Sequence, residues 1–382
     1  MTYSFHLPHY FTYHLRREVK ELYAATAIMD IASSAMLIFE PIYLYSQLGL
    51  SLVQVLLFFA MVYAWYVVLL PFGGMVASSL GYKHSIISSM PFQLLYWTCL
   101  FFAGQFPLLL LVAPLMYAVS KSLYWPAFHA IVAQFANRAQ VAREFSGLSA
   151  IIQTAQIFGP LAGGLIVQAT SGGGLLIVAG CIYTLAIIPL IKHVEVKYKR
   201  LFSFRKVLEL YRSYPKCMLA YFGFGEEFLA LSVWPIVIFL AVAGYGATGL
   251  LVTVASGVSV LFSLYIGKKT EGKSKLPMLR LGALLTALTW FIRPFMAGAT
   301  ALLSVDSGAR VTKNLYFIPL CTITYERAES QDILPYVVFF EQSLALGKLV
   351  FAMLAVGLFA ITLSYPVLYI LGGLSSLLFF LI

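Results

Sequence analysis

The sequence contains few charged residues. Asp, Glu, Lys and Arg make up 10% of the 382 residues, whereas 61% are hydrophobic and the mean hydropathy is +0.89. A typical soluble domain has about 25% charged residues, so this chain has too little polar surface to cover a water-soluble fold. The composition excludes a soluble globular protein and predicts a polytopic membrane protein.

Cysteines and catalytic motifs are also scarce. The four cysteines stand singly in apolar stretches without CxxC spacing, and we predict that they are small buried side chains: Cys99, Cys181, Cys217 and Cys321. The chain carries no HExxH, GxSxG, P-loop or Rossmann fingerprint at a plausible position. We therefore expect no enzyme activity, no metal and no cofactor. With no soluble nucleotide-binding domain, an ATP-driven pump is disfavoured.

Long apolar runs are what the sequence has instead. A bilayer-spanning helix needs about 20 mostly apolar residues, and twelve stretches come close to that length. The predicted spans are 22–44, 51–77, 84–104, 106–133, 144–168, 173–191, 217–243, 246–266, 276–297, 299–325, 336–360 and 364–382. The sequence thus predicts an all-α protein with twelve transmembrane helices.

Basic residues outside the spans predict the orientation. Twenty of the 25 Lys and Arg lie in the N-terminal leader and in every second connection, whereas the alternate connections contain none. Because cytoplasmic loops are enriched in Lys and Arg, we expect both termini in the cytoplasm and the chain in the plasma (inner) membrane. The loops also account for the formal charge of +10 without a nucleic-acid partner.

The chain divides into two similar halves. We predict a cytoplasmic N-terminal segment (1–21), a six-helix bundle (22–191), a cytoplasmic linker (192–216) and a second six-helix bundle (217–382). The linker either forms an amphipathic segment on the inner leaflet or is simply solvated. Prolines and glycines repeat at an offset of 193 or 194 residues, in the pairs Pro41 and Pro235, Gly74 and Gly267, Pro126 and Pro319, and Gly164 and Gly357. This pattern indicates a tandem, parallel duplication.

Two short motifs carry a family resemblance. Gly74, Gly81 and Lys83 match a glycine–acid–base–glycine–base loop signature, although Ser78 and Ser79 replace its acid and first base; the second copy has Gly267 and Glu271. A GPxxGG element follows later in the chain, formed by Gly159, Pro160, Gly163 and Gly164. With the twelve spans and the duplication, the chain resembles the major facilitator superfamily of transporters. We expect these residues to serve in gating, with plain helix packing as the alternative for the GPxxGG element.

Eleven Asp, Glu, Lys and Arg side chains lie within the predicted spans, not counting Glu144 and Arg280 near span ends, and each costs at least ~2.5 kcal/mol. Eight fall on the first, fourth, seventh and tenth spans, which the resemblance implies line a central cavity. We predict that the substrate contacts Lys121, Arg310, Lys313, Asp306, Tyr117, Tyr124 and Trp234. We predict proton coupling by Asp30, Glu40, Glu226 and Glu227. The alternative is fixed ion pairs that only hold the bundle together.

The other three buried charges are predicted to be structural. Glu341 and Lys348 share one face of the eleventh span, and Arg293 is expected to extend toward the lipid headgroups. For His129 we favour a packing role over proton relay.

The resemblance implies a secondary transporter working by alternating access. We expect a monomer in the lipid bilayer that moves a small organic solute (anionic, zwitterionic or amphiphilic) with protons. The alternatives are a multidrug or lipid efflux antiporter, a passive uniporter and a non-transporting membrane sensor. The sequence leaves the solute and the direction of transport open.

Overall fold

The computed structural model describes residues 17–135, 154, 157–192, 202–270 and 275–382. These residues form helices and connections, with no strand among them. The helices are α1 (Arg17–Ile42), α2 (Leu52–Leu80), α3 (Tyr82–Phe102), α4 (Leu109–Phe135), α5 (Ile157–Ala169), α6 (Gly172–Leu185, then Ile187–Lys192), a linker helix (Phe204–Ser213), α7 (Pro215–Val242), α8 (Tyr245–Thr270), α9 (Lys275–Ile292), α10 (Ala299–Ser330), α11 (Ile333–Thr362) and α12 (Tyr365–Ser376).

The twelve predicted spans correspond to α1–α12, arranged as two six-helix halves. Eight of these helices are long and apolar enough to cross a membrane by length and composition, and α4 and α10 are 27 and 32 residues long. Large apolar side chains such as Leu261 and Ile361 are 79% and 84% exposed on the outer surface. Exposure of this kind is unfavourable in water and ordinary in lipid.

Prolines mark helix distortions at related positions of the two halves. Pro41 lies near the end of α1, just before a π-helical turn at Tyr43–Gln47. Pro235 follows a break in α7 at Val233. Because proline removes one helical hydrogen bond, it favours such irregularities. The paired prolines of the sequence repeat therefore distort the first helix of each half.

The linker helix packs against the second half of the chain. Its Val207 and Leu210 are buried, and the hydroxyl of Tyr211 donates to Gln342 Oε1 of α11 over 3.1 Å. Lys206 pairs with Asp332 at the start of α11. The described part of the linker is thus a helix with one side packed on protein, whereas its Phe204 and Leu208 are exposed. The expectation of a simply solvated linker is wrong for these residues, and a position on the inner leaflet stays a prediction.

Glycines bring the two halves into close contact. A side chain at Gly249 of α8 would collide with the carbonyl of Pro160 in α5, and Thr253 donates to the carbonyl of Ile157 over 2.7 Å. A side chain at Gly74 of α2 would come within 2.8 Å of Val338 in α11. The interface between the halves is therefore built from α5 against α8 and α2 against α11.

The halves meet toward both ends of this interface. We name the two ends the basic face, where the connections carry Lys and Arg, and the opposite face. At the opposite face, Gln47 donates to the hydroxyl of Tyr245 over 3.2 Å. Toward the basic face, Gln342 of α11 donates to the carbonyl of Val67 in α2 over 2.9 Å. The halves thus contact each other toward both faces.

Candidate functional site

Aromatic rings surround Lys121 in the middle of α4. Its ammonium group lies 5.2–5.8 Å from the ring centroids of Tyr63, Tyr66, Tyr117 and Trp125. At these distances the ring faces attract a cation. No carboxylate of the described residues comes within 4.0 Å of it. The ammonium group of Lys121 therefore has no contacting counter-charge among the described residues.

A small cavity lies beside this cluster, between the two halves. Its empty volume is about 410 Å³ including its opening, and its lining comprises Leu37, Glu40, Phe59, Val62, Tyr63, Tyr117, Phe228, Leu231 and Ser232. Glu40 is 6% exposed and accepts a hydrogen bond from the hydroxyl of Tyr96, whose ring stacks on Tyr117 at 4.5 Å between centroids. A mostly apolar wall with a few polar groups is typical of a small-molecule site.

Glu227 is held between two lysines. Its carboxylate pairs with Lys313 of α10 through one oxygen and with Lys348 of α11 through the other. The side chain of Lys348 is 7% exposed, and its ammonium group also lies 5.3 Å from the ring centroid of Tyr63. This triad joins α7, α10 and α11 through one carboxylate that contacts two cations.

Asp306 and Arg310 form a second ion pair, within α10. Arg310 Nε donates to Asp306 Oδ2 over 2.8 Å, and Trp234 Nε1 of α7 donates to the other carboxylate oxygen over 2.9 Å. The spacing of four residues lets the two charges meet on one helix face. The acid that pairs with Arg310 therefore comes from its own helix.

Glu226 is surrounded by neutral donors. It is 3% exposed and accepts hydrogen bonds from the hydroxyl of Tyr316 and from Trp290 Nε1, the latter over 3.1 Å. Glu226 and Glu227 therefore point to different neighbours, as adjacent residues of one helix do. Of these two carboxylates, only Glu227 contacts a cation within the described part of the chain.

Arg293 is buried between two tryptophans. Its guanidinium carbon lies 3.4 Å from the ring centroid of Trp290 and 4.1 Å from that of Trp234, and the side chain is 4% exposed. The expectation that it extends to the lipid headgroups is wrong. Stacking on tryptophan accommodates the weakly hydrated guanidinium in the bundle.

Asp30 stands apart from the cavity. It faces Tyr124 of α4 and Tyr183 of α6, and its buried Oδ2 has no hydrogen-bond partner in the described residues. Tyr124 stacks on Phe128 rather than lining the cavity. These two predicted site residues therefore lie in a separate part of the first half.

A polar network crosses between the halves toward the basic face. His129 of α4 contacts Glu341 of α11 through Nε2 (2.9 Å) and the hydroxyl of Tyr325 in α10 through Nδ1 (2.7 Å). Tyr66 of α2 donates to the second oxygen of Glu341 over 2.7 Å. We call His129, Glu341, Tyr66 and Tyr325 the cross-half network. His129 is thus a satisfied buried histidine that bridges two halves, and not only a packing residue within one.

The GPxxGG element lies where three helices meet. Gly159 and Gly163 are in close contact with α1, at Ser34 and Ala35, while Gly164 is against the backbone of Tyr245. Close packing accounts for the three glycines of this element. Its role in gating stays a prediction.

The loop signature between α2 and α3 is partly explained by backbone geometry. Gly81 has a φ of 97°, which favours glycine, and Lys83 donates to the carbonyl of Ile191 over 3.4 Å. Ser78 and Ser79 donate to carbonyls of their own helix. In the second copy, Gly267 lies near the end of α8 and Glu271 lies outside the described residues.

The structure brings Lys121, Tyr117 and Glu40 together at the cavity and separates them from Arg310, Asp306 and Trp234. Lys313 belongs to the Glu227 triad, together with Lys348. Among the cysteines, Cys217 and Cys321 are buried as predicted, whereas Cys181 is exposed on the surface of α6 and Cys99 is half-buried.

Sequence reasoning missed the tyrosines that build the site. Tyr63, Tyr66 and Tyr96 are buried next to Lys121 or Glu40. The spacing of three residues between Tyr63 and Tyr66 places both on one face of α2, which is a signal that could have pointed to them.

The comparisons with known proteins agree with this architecture. The model of the family described as Major Facilitator Superfamily matches residues 22–328. Among solved structures, the transporter FucP in its outward conformation aligns over 96% of this chain and 98% of its own, with 15% identity and a TM-score of 0.69. A variant of the E. coli fucose:proton symporter FucP aligns over 95% and 96%, with 14% identity and a TM-score of 0.65. Among curated protein sequences, no significant match was found. The chain belongs to the major facilitator superfamily of membrane transporters.

Proposed function

We propose that this protein is a secondary transporter that carries a small organic solute through the cavity between its halves. The observation that carries this proposal is the position of the cavity, which is lined by α1, α2, α4 and α7 from both halves. Contacts between the halves lie on both sides of it. Opening one set of contacts at a time would expose the cavity to one face and then to the other, which is alternating access.

Proton coupling is the second part of the proposal. Glu227, Asp306 and Glu341 each contact a cation or a histidine, whereas Asp30, Glu40 and Glu226 contact no cation among the described residues. A carboxyl group that is not held in an ion pair can change its protonation state when its surroundings change, which is what a coupling residue requires. Glu40 lines the cavity, so its protonation can respond to the solute. We therefore assign coupling to Glu40 first, and a bundle-holding role to Glu227.

The proposed setting follows the charge pattern of the sequence. We place the basic face in the cytoplasm and the protein in the plasma (inner) membrane. We propose that a single chain, as a monomer, carries out transport. No enzymatic step is part of the proposal. An efflux antiporter shares the same cavity and differs in direction, and a sensor would bind a ligand there without flux.

Transport by the purified protein in proteoliposomes tests the function. An imposed pH gradient, read by a pH-sensitive dye inside the vesicles, should dissipate faster when a transported member of a metabolite panel is added. The Glu40→Gln variant should lose this solute-dependent proton movement, while Glu209→Gln on the exposed side of the linker helix should keep it.

Two outcomes would contradict the proposal. If a solute stabilises the protein specifically but never crosses the vesicle membrane, the protein is a sensor. If Glu40→Gln keeps full gradient-dependent uptake, the assignment of coupling to Glu40 is wrong.

A further inference from the structure

The charges around the cavity do not balance by direct contact. The ammonium groups of Lys121 and Lys348 both lie near the ring of Tyr63, 5.7 and 5.3 Å from its centroid. Lys348 has its counter-charge in Glu227. Among the described residues, Lys121 contacts aromatic rings and no carboxylate, and Glu40, Glu227 and Glu341 attract it from a longer distance. One cation next to the cavity is thus available to a ligand that brings a single negative charge.

The lining of the cavity suits a compact, mainly apolar ligand. Leu37, Phe59, Val62, Phe228 and Leu231 supply hydrophobic contacts, and Ser232 supplies a hydroxyl. The rings of Tyr63 and Tyr117 line the cavity and also face Lys121, so the ammonium group lies directly behind this part of the cavity wall. A second strong anion has no such partner here. The cavity therefore suits a small, mainly apolar ligand that carries one carboxylate.

Glu40 and a bound anion would compete for the same cation, Lys121. Its carboxylate lines the cavity, and Lys121 is the cation that attracts it across the stacked rings of Tyr96 and Tyr117. The titratable and charged groups that face Glu40 are Tyr63 of α2, Tyr96 of α3, and Tyr117 and Lys121 of α4. On α7, the carboxylate of Glu227 is already held by its two lysines.

Two negative charges in this apolar space cannot both be neutralised by one ammonium group. Like charges at short range in a low-dielectric site oppose each other strongly, so one of them is stabilised by protonation. An organic acid that has entered as its anion keeps its charge by contact with Lys121. The proton then goes to Glu40, which retains its hydrogen bond from Tyr96.

We propose that the solute is a small organic monocarboxylate that takes Lys121 as its counter-charge, and that Glu40 binds one proton as the anion enters. This proposal depends on the transport function proposed above and specifies its substrate class. Because one anion and one proton load together, the loaded site carries the same net charge as the empty one.

Binding to the purified full chain in detergent tests the proposal. Acetate, butyrate, lactate and benzoate are compared with acetamide, butyramide, lactamide and benzamide by thermal stability and by calorimetry. At least one acid should stabilise the protein, its amide should not, and binding should take up about one proton in weakly buffered solution. Lys121→Gln should weaken binding at least about tenfold, because a charge-assisted contact is lost.

Three further variants separate the roles. Lys121→Arg should retain binding of the acid, since it keeps the cation. Glu40→Gln should bind the acid without proton uptake. Arg205→Gln, on an exposed position of the linker helix, should behave as the unchanged protein. Size-exclusion chromatography of each variant verifies that it is folded.

The results that overturn the proposal differ from those that overturn the function. If none of the four acids stabilises the protein, if amides bind as well as acids, or if folded Lys121→Gln binds normally, the substrate class is wrong. Flux of a neutral solute that persists in Lys121→Gln would leave the transport function intact. Binding of an acid with proton uptake but without flux would refute the function and leave the anion site.

Discussion

Removing the carboxylate of Glu227 should destabilise the folded protein strongly. Glu227→Gln keeps the shape of the side chain but leaves Lys313 and Lys348 without their anion. The side chain of Lys348 is 7% exposed, so its ammonium group cannot recover full hydration. Breaking a buried ion pair from one side typically costs about 3–5 kcal/mol, and we expect Glu227→Gln to lower the free energy of unfolding by that amount.

A second substitution should recover much of this loss. In Glu227→Gln/Lys348→Met, the most deeply buried uncompensated cation is gone. Lys313 remains, but its side chain is 31% exposed, and partly exposed pairs contribute only about 0–1 kcal/mol. The double variant should therefore be about 2–4 kcal/mol more stable than Glu227→Gln alone.

The matched control for this prediction is a solvent-exposed ion pair of the same protein. Arg205 and Glu209 are paired on the linker helix with side chains 88% and 54% exposed, so Glu209→Gln should change stability by less than about 0.5 kcal/mol. Reversible unfolding in mixed detergent micelles, followed by tryptophan fluorescence, measures all three variants. A loss below about 1 kcal/mol in Glu227→Gln, or a double variant less stable than the single one, would refute the reasoning.

Two other predictions follow from the interface between the halves. Gly249→Ala should reduce thermal stability and transport, because its Cβ collides with the carbonyl of Pro160; Gly257→Ala, on the same helix with open space around it, should be neutral or up to about 1 kcal/mol more stable. Equal behaviour of the two alanine variants would contradict this packing. Glu341→Gln weakens the cross-half network and should open the basic face more often. In a protein whose other three cysteines are alanine, Cys321, which is fully buried, should then react faster with a water-soluble maleimide. An unchanged labelling rate would show that Glu341 does not hold this face closed.

The sequence predicted most of the fold because membrane insertion depends on local composition. Each span had to be apolar over about 20 residues, and each cytoplasmic connection is expected to be basic, so spans could be placed without knowing their neighbours. Gly249 was not singled out, and nothing in its own helix distinguishes it from Gly257. Only the approach of α5 makes one of them essential.

The candidate site was predicted in part. The chain alone indicated Glu40, Lys121, Lys313 and Glu227 as costly charges that need a partner or a function. It could not pair them, because a helix fixes which of its own residues share a face but not which other helix it meets. Tertiary packing gave Glu227 two lysines and left Lys121 with four aromatic rings. That difference in partners is decided only by contacts between helices, and it is why we assign Glu227 to holding the bundle and propose Lys121 for binding the solute.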